Sequence, residues 1–151
     1  MEPDTEVSPE LDAGRWVTAT IGLSGFRTDV SARSHAIVAD EPVPFGGTDL
    51  GPTPYEFLLT ALASCTVMTL RMYADRKQWP LASASVGLRS SHSHEKDCED
   101  CLTKKVDIGR IERRIDLGGP ITEEQRARFI EIADRCPVKQ TLERGISIVD
   151  V

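Results

Sequence analysis

The sequence predicts an α+β fold on three observations. Short alternating apolar segments, which suit strands, occur before and after a long helical run. That run, from Pro54 to about Gln78, is apolar on nearly every face. A second helix opens after the Gly118-Gly119-Pro120 breaker with Thr122 and Gln125 in capping-box positions. The resulting order is strands, long helix, strands, helix, strand, which is a mixed architecture with helices and antiparallel strands segregated along the chain.

Each element has a local reason. Residues 1–14, MEPDTEVSPELDAG, are acidic and aperiodic and read as a disordered tail, leaving 15–151 as a single domain. Trp16 to Leu23 alternates as a strand, and Ser24-Gly25 is a turn signal. Arg27 to Ala39 holds one or two further strands, the most apolar part being Ile37-Val38-Ala39. The segment from Asp40 to Pro54, dense in Pro and Gly, reads as a long loop of the kind that often carries function. Pro54 suits the first helical turn, where its missing N–H would be unpaired anyway. Phe57 to Leu70 has almost no polar face beyond small hydroxyl residues. A helix apolar all round must be covered all round, and one short chain has few elements to do so, which predicts a homodimer. Ala84–Arg89 and Lys105–Leu117 read as strands separated by a polar loop. Pro137 ends the second helix or starts a new turn through Leu142, and Ile146–Val149 reads as a last strand.

Composition excludes several classes. A formal net charge of −6 argues against general nucleic-acid binding, because a phosphate backbone wants a basic face. No stretch approaches about 20 uninterrupted apolar residues, so no membrane span is expected. The acidic start lacks the form of a signal peptide, making the cytoplasm the expected location. Four cysteines in that compartment suggest chemistry or metal before structural staples.

Cys65 lies in the middle of the apolar helix, and Cys136 stands immediately before Pro137 at a helix junction. A thiol that reduces a peroxide needs a thiolate to attack the O–O bond, a donor for the departing alkoxide, a second thiol to close a disulfide, and a reductant to reopen it. Cys65 and Cys136 could supply the two sulfurs, and Cys136 would feel a positive helix end if it caps a short helix. The apolar wall of Leu58, Leu62, Val67 and Met68 would favour an organic hydroperoxide. The alternative is two buried, inert thiols, since 71 residue steps between them say nothing local about contact.

The stretch from Gly51 to Cys65, GPTPYEFLLTALASC, resembles the signature helix of the OsmC/Ohr family, and Arg135-Cys136-Pro137-Val138 resembles its second cysteine motif. Asp40-Glu41-Pro42, Gly46-Gly47 and Thr69-Leu70-Arg71-Met72-Tyr73-Ala74 are similar to the small OsmC-like redox proteins. The resemblance spans roughly Trp16 to Val151. It implies antiparallel sheets wrapped around long central helices in an intertwined homodimer with sites at the subunit interface. It also implies thiol peroxidase chemistry without flavin, haem or metal, with Cys65 attacking, Cys136 resolving and a dithiol, of lipoyl type, as reductant.

One part of the family pattern is missing. Hydroperoxide reductases of the family place a Glu directly after the helix proline and an Arg near the end of the first strand. Here Tyr55 follows Pro54, Glu56 comes one place later, and Leu23 stands at the aligned strand position. A one-residue shift turns a helical side chain by about 100°. Substitutes are Arg27 or Arg33 as the cation and Glu56 as its orienter. Glu56 and Cys65 are nine residues, or about 900°, apart and so lie on opposite faces, which would let Glu56 serve the partner's cysteine better than its own. The bland readings are a solvated Arg and a Glu favoured by the helix dipole.

The remaining cysteines lie in His92-Ser-His94-Glu-Lys-Asp-Cys98-Glu-Asp-Cys101, a weak zinc candidate with donors His92, His94, Cys98 and Cys101. A Cys98–Cys101 disulfide or two solvated thiols are the alternatives. His35 reads as a surface or satisfied interior histidine, and Trp16, Trp79, Tyr55 and Tyr73 as packing residues, with Tyr55 bordering the site. Two further functional classes stay open: a redox-sensing or ligand-binding member of the same fold without turnover, and a zinc-stabilised protein.

Overall fold

A computed structural model describes residues 16–91 and 109–150 of the chain. These form two compact units divided at Pro54 and Tyr55.

The first unit is a three-stranded antiparallel meander, β1 (Val17–Ile21), β2 (Thr28–Ala32) and β3 (His35–Ala39). Val17 faces Ala32 and Ile21 faces Thr28 across the first ladder; Thr28 faces Ala39 and Ala32 faces His35 across the second. The predicted strand over 16–23 and the pair within 27–39 are thus present, each shorter than its apolar pattern. Arg33, at the tip of the second hairpin, has φ 55°, the left-handed region that non-glycine residues seldom enter.

The loop after β3 is organised by one carboxylate. Asp40 is buried and accepts hydrogen bonds from the Glu41 N–H (2.8 Å), the Thr48 hydroxyl (2.6 Å), the Thr48 N–H (3.3 Å) and the Leu50 N–H (3.2 Å). Backbone bonds from Asp40 N–H to the Pro52 carbonyl and from Asp49 N–H to the Glu41 carbonyl, both 3.1 Å, close the same turn. Two glycines are required by close approach. A Cβ at Gly47 would lie 1.8 Å from the Glu41 carbonyl oxygen, and one at Gly51 would lie 2.0 Å from that of Val38. The Thr48 hydroxyl first, with the backbone N–H groups, holds the Asp40 carboxyl below the ordinary range against the opposing effect of burial.

The second unit begins with α1 (Pro54–Lys77), followed by the antiparallel pair β4 (Ser83–Ser90) and β5 (Ile111–Gly118), then α2 (Glu123–Ala133) and α3 (Pro137–Arg144). α1 stops in a Schellman-type cap. Gln78 takes φ 54°, its N–H reaches the Asp75 carbonyl (3.2 Å), and the Trp79 N–H reaches that of Ala74 (2.9 Å). The accompanying apolar contact is Trp79 against Tyr73, edge to face at 5.5 Å, and Pro80 prevents continuation.

By length and composition α1 would pass as a bilayer-crossing helix, a property it shares with core helices of soluble proteins. Its hydroxyl groups fold back onto the helix: Thr60, Ser64, Thr66 and Thr69 each donate to the carbonyl four residues earlier, at 2.7–2.8 Å. One stripe, Leu62, Thr66, Leu70 and Ala74, is buried at helical spacing, whereas Met68 and Met72 on another face are 59% and 67% exposed. Among the described residues, the all-round burial expected from the sequence is therefore not reached.

The core joins Leu70 and Ala74 of α1 to Leu81 and to Phe129, Ile132 and Ala133 of α2, with Ala84, Ile115 and Leu117 packed against them. Tyr73, Trp79 and Phe129 meet pairwise edge to face, with centroids 5.5–6.0 Å apart. The capping box at Thr122 is complete: its hydroxyl accepts from the Gln125 N–H (3.1 Å) and the Gln125 side chain accepts from the Thr122 N–H (3.0 Å).

Of the two readings of Pro137, the second holds: α2 stops at Ala133 and Pro137 opens α3, with Cys136 as N-cap. Two sequence expectations change. The strand predicted from Lys105 begins at Ile111 among the described residues, with Gly109 and Arg110 irregular. Ile146–Val149 forms no strand: Ile146, Ile148 and Val149 are 73%, 88% and 73% exposed, and among the described residues no strand lies along them to complete a ladder. The predicted tail and the His92–Cys101 loop fall outside the described residues.

Two outcomes follow. Phe129→Ala removes a fully buried ring from the aromatic triad and should lower unfolding free energy by roughly 3–5 kcal/mol in urea titration. Asp40 has a folded pKa below its unfolded one, so its stabilisation is present above the ordinary carboxylate range and is lost as pH falls through the folded value. Asp40→Asn should therefore flatten the acid limb of stability against pH, measured by thermal unfolding.

Candidate active site

Two sulfurs far apart in sequence meet at the start of α3. Cys65 projects from the middle of α1 and Cys136 is the N-cap residue of α3, and the two thiols lie close enough for each to shift the other's proton affinity. Both are unbridged; Cys65 is half-buried and Cys136 is 0% exposed. Pro137 at the first helical position has no N–H, so the first free donors of α3 are those of Val138 and Lys139. Both N–H groups lie near the thiol pair and favour its charged form, that of Val138 at both sulfurs and that of Lys139 at Cys136, although Cys136 makes no side-chain capping hydrogen bond. The threonines that fold back along α1 act in the same sense: Thr69 favours the charged form of Cys65 and Thr66 that of Cys136.

The environment splits the pair. Burial pushes the Cys65 thiol up, and its hydrogen bond to Cys136 adds to that. Burial also works to raise Cys136, but hydrogen bonds from Cys65, the Lys139 N–H, Thr66 and the Val138 N–H together hold it below the ordinary thiol range. Of the two thiols, Cys136, at the positive end of α3, is the one that gives up its proton more readily.

A brace of ion pairs fixes the elbow between α2 and α3. Asp134 binds Arg113 of β5 at 2.8 Å and Lys139 at 3.6 Å, and Lys139 binds Glu143 at 2.8 Å. Arg113 also donates to the Ala133 carbonyl (3.3 Å), which accepts the Cys136 N–H at 3.3 Å. The Asp134 carboxyl is held below the ordinary range, chiefly by Arg113. Beside this elbow lies a cavity of about 650 Å³, walled by Leu62, Leu88, Ile111 and Leu142 and rimmed by Arg113, Lys139 and Glu143. Of the predicted apolar wall, Leu62 lines it; Leu58, Val67 and Met68 are not among its lining residues, and Met68 is exposed.

Of the other predicted site residues, Arg27 and Arg33 belong to the first unit and Glu56 to the second. Arg27 pairs with Asp29 at 3.0 Å on the surface of the first unit. Arg33 sits on a hairpin tip with its guanidinium 3.4 Å from His35 Nε2. Glu56 is exposed in the first turn of α1. Sequence reasoning missed Arg113, although the alternation Ile111, Arg113, Ile115, Leu117 puts it on the apolar face of β5, where an arginine has to find a partner. It also missed Thr66 and Thr69, which read as neutral hydroxyl residues until the second cysteine is placed beside them.

Residues 46–149 match the model of a family described as OsmC-like protein. Among solved structures, an OsmC-like protein from Mycoplasma pneumoniae aligns with a TM-score of 0.68 at 23% identity, covering 84% of this chain and 85% of that one. An organic hydroperoxide resistance protein OsmC from Legionella pneumophila gives 0.60 at 14% identity over 84% and 87%. An organic hydroperoxide resistance protein from Elizabethkingia anophelis gives 0.61 at 16% identity over 87% and 89%. A search of curated proteins gives no significant match. At these identities the structures establish the shared fold, antiparallel sheets with helices. The family match covers well over half of the chain, and the protein belongs to the OsmC-like family.

Proposed function

We propose that this protein is a thiol peroxidase for organic hydroperoxides, working through Cys65 and Cys136. The observation that carries the reading is the pairing of the Cys65 and Cys136 thiols at the N-terminus of α3, where Lys139 of the same helix also lines a cavity walled by Leu62, Leu88, Ile111 and Leu142. Family membership and the names of two structural neighbours, organic hydroperoxide resistance proteins, support it.

The split in proton affinity fits this chemistry. Cys65 is the more accessible sulfur and keeps its proton more tightly; Cys136 gives up its proton more readily but is sealed from solvent. As Cys65 attacks the terminal peroxide oxygen, its proton passes to Cys136, the O–O bond breaks, and the alkoxide takes up a proton to leave as alcohol. Cys65 is then a sulfenic acid. Cys136 attacks it, forming the disulfide and releasing water. A dithiol of lipoyl type reduces the disulfide and is itself oxidised, which restores both thiols.

Residues 15–151 act as one domain in a cytoplasmic homodimer under this reading. The exposed Met68 and Met72 on α1, Val17 and Ile21 on β1, and the unpaired Ile146–Val149 segment are the apolar surfaces such a dimer would cover. Arg27 or Arg33 and Glu56 could then support a thiol across the dimer; opening the surface Arg27–Asp29 pair would cost little.

A second reading, a redox sensor that oxidises once without turnover, is favoured by the raised Cys65 pKa, which slows attack. The experiment that separates them mixes reduced protein with cumene hydroperoxide or hydrogen peroxide and maps cysteine linkages by mass spectrometry over time. The peroxidase reading expects rapid Cys65–Cys136 linkage, faster with the organic peroxide, abolished by Cys65→Ser, and many turnovers when excess dithiol is added. Linkage without turnover supports the sensor. Oxidation confined to Cys98 and Cys101 overturns both.

A further inference from the structure

Resting on the peroxidase reading, we infer that Arg113 is a positioning residue for the resolving thiol: its two-point hold on the turn between α2 and α3 sets where Cys136 stands once Cys65 has been oxidised.

The turn has few bonds of its own. α2 runs out through three successive bonds of the tighter i→i+3 kind, from the Asp134 N–H to the Glu131 carbonyl (3.2 Å), from that of Arg135 to Ile132 (2.9 Å) and from that of Cys136 to Ala133 (3.3 Å). The last is the longest, and it is the one that holds the Cys136 backbone. Arg113 engages the same carbonyl. One guanidinium nitrogen donates to the Ala133 oxygen at 3.3 Å while the other donates to the Asp134 carboxylate at 2.8 Å. A planar fork engaged at both tips fixes two points of the turn at once, and it does so from β5, on a different element. Cys136 is 0% exposed, so its packed side chain has little freedom apart from its backbone.

Stability alone does not explain these residues. Arg113 stands on the inward face of β5 between Ile111 and Ile115, its side chain 20% exposed, where an apolar residue would need no partner. Asp134 is the C-cap of α2, the negative end of that helix, and α2 has no basic residue in its last turn. A carboxylate is disfavoured there on α2's own account. Asp134 is instead held by Arg113 from β5 at 2.8 Å and by Lys139 from α3 at 3.6 Å, across the turn that carries Cys136.

Disulfide closure is the step that feels this hold. The Cys136 sulfur attacks the Cys65 sulfenic acid, the S–S bond forms, the S–O bond breaks, and hydroxide leaves as water with the proton that Cys136 carries. Two groups held in place react as neighbours, and a small misplacement forfeits that advantage. Attack on the peroxide by Cys65, on α1, makes no use of the turn.

The test uses Arg113→Met, Asp134→Ala and the double variant in a Cys98→Ser/Cys101→Ser background. Closure of the Cys65–Cys136 disulfide is followed after one equivalent of cumene hydroperoxide, and the disulfide is then equilibrated with dithiothreitol. The first step is followed separately, with Cys136→Ser added, as dimedone adduct on Cys65. Arg113→Met should close about tenfold more slowly and give a disulfide about tenfold easier to reduce, with Cys65 oxidised at the wild-type rate. Asp134→Ala, at a side chain 57% exposed, should show the same defect in smaller measure, and the double variant should be no worse than Arg113→Met, because both remove one contact. Arg113 also lines the cavity, so a slower first step in Arg113→Met would assign it to peroxide binding and overturn the positioning role. Wild-type closure and equilibrium in Arg113→Met, or single-variant effects that simply add, would overturn it too and leave the peroxidase reading intact. Should Arg113→Met fail to fold, Asp134→Ala decides, and wild-type closure there overturns the role. Should wild type itself form no disulfide, the peroxidase reading falls and the inference falls with it.

Discussion

The site depends on the elbow between α2 and α3. A proline at the first position of α3 removes one N–H, and the next two, those of Val138 and Lys139, favour the charged form of the Cys136 thiol that stands at the helix start. Cysteine is a poor N-cap residue by the usual ranking, which prefers oxygen side chains. Its presence here exchanges some helix stability for a sulfur at the positive end of a helix, already within hydrogen-bonding reach of a second sulfur. The Arg113–Asp134–Lys139–Glu143 chain holds that elbow shut from the outside, and the Leu70–Phe129–Ile132 core holds it from beneath.

This arrangement makes the two thiols unequal without a cation directly on either one. The family's usual Arg–Glu support is absent at its expected positions, where Leu23 and Tyr55 stand. What favours the charged form of Cys136 in this chain is a set of neutral neighbours: two backbone N–H groups, one hydroxyl and the adjacent thiol. Neutral donors hold a buried thiolate with no second charge to desolvate, which suits a sulfur that is completely sealed. The division of labour follows from exposure. Under the proposed peroxidase reading, the reachable sulfur does the attacking and the sealed one closes the disulfide.

Much of this was legible in the sequence where local chemistry decides structure. Pro54 and the Trp79-Pro80 stop bound α1 to within a residue, and Thr122 with Gln125 announced α2 through a capping box that is present in full. The suggestion that Cys136 caps a short helix followed from the proline after it. What was not legible depends on contacts between distant segments. Seventy-one steps of chain give no sign that Cys65 and Cys136 touch, and Thr66 has no distinguishing local feature before Cys136 is set against it. Ile146–Val149 shows the opposite failure: its apolar pattern is that of a strand, but a strand exists only with a neighbour to pair with. Arg113 was readable from alternation, yet its meaning required Asp134.

The central claim is that Cys65, though it carries the higher pKa, is the sulfur oxidised by peroxide. Replacing the resolving thiol isolates that step. Reduced Cys136→Ser protein exposed to one equivalent of cumene hydroperoxide, with a sulfenic-acid trap such as dimedone present, should carry the adduct on Cys65 when digested and analysed by mass spectrometry. An adduct found only on Cys98 or Cys101, or none at any cysteine while the peroxide persists, would contradict the account.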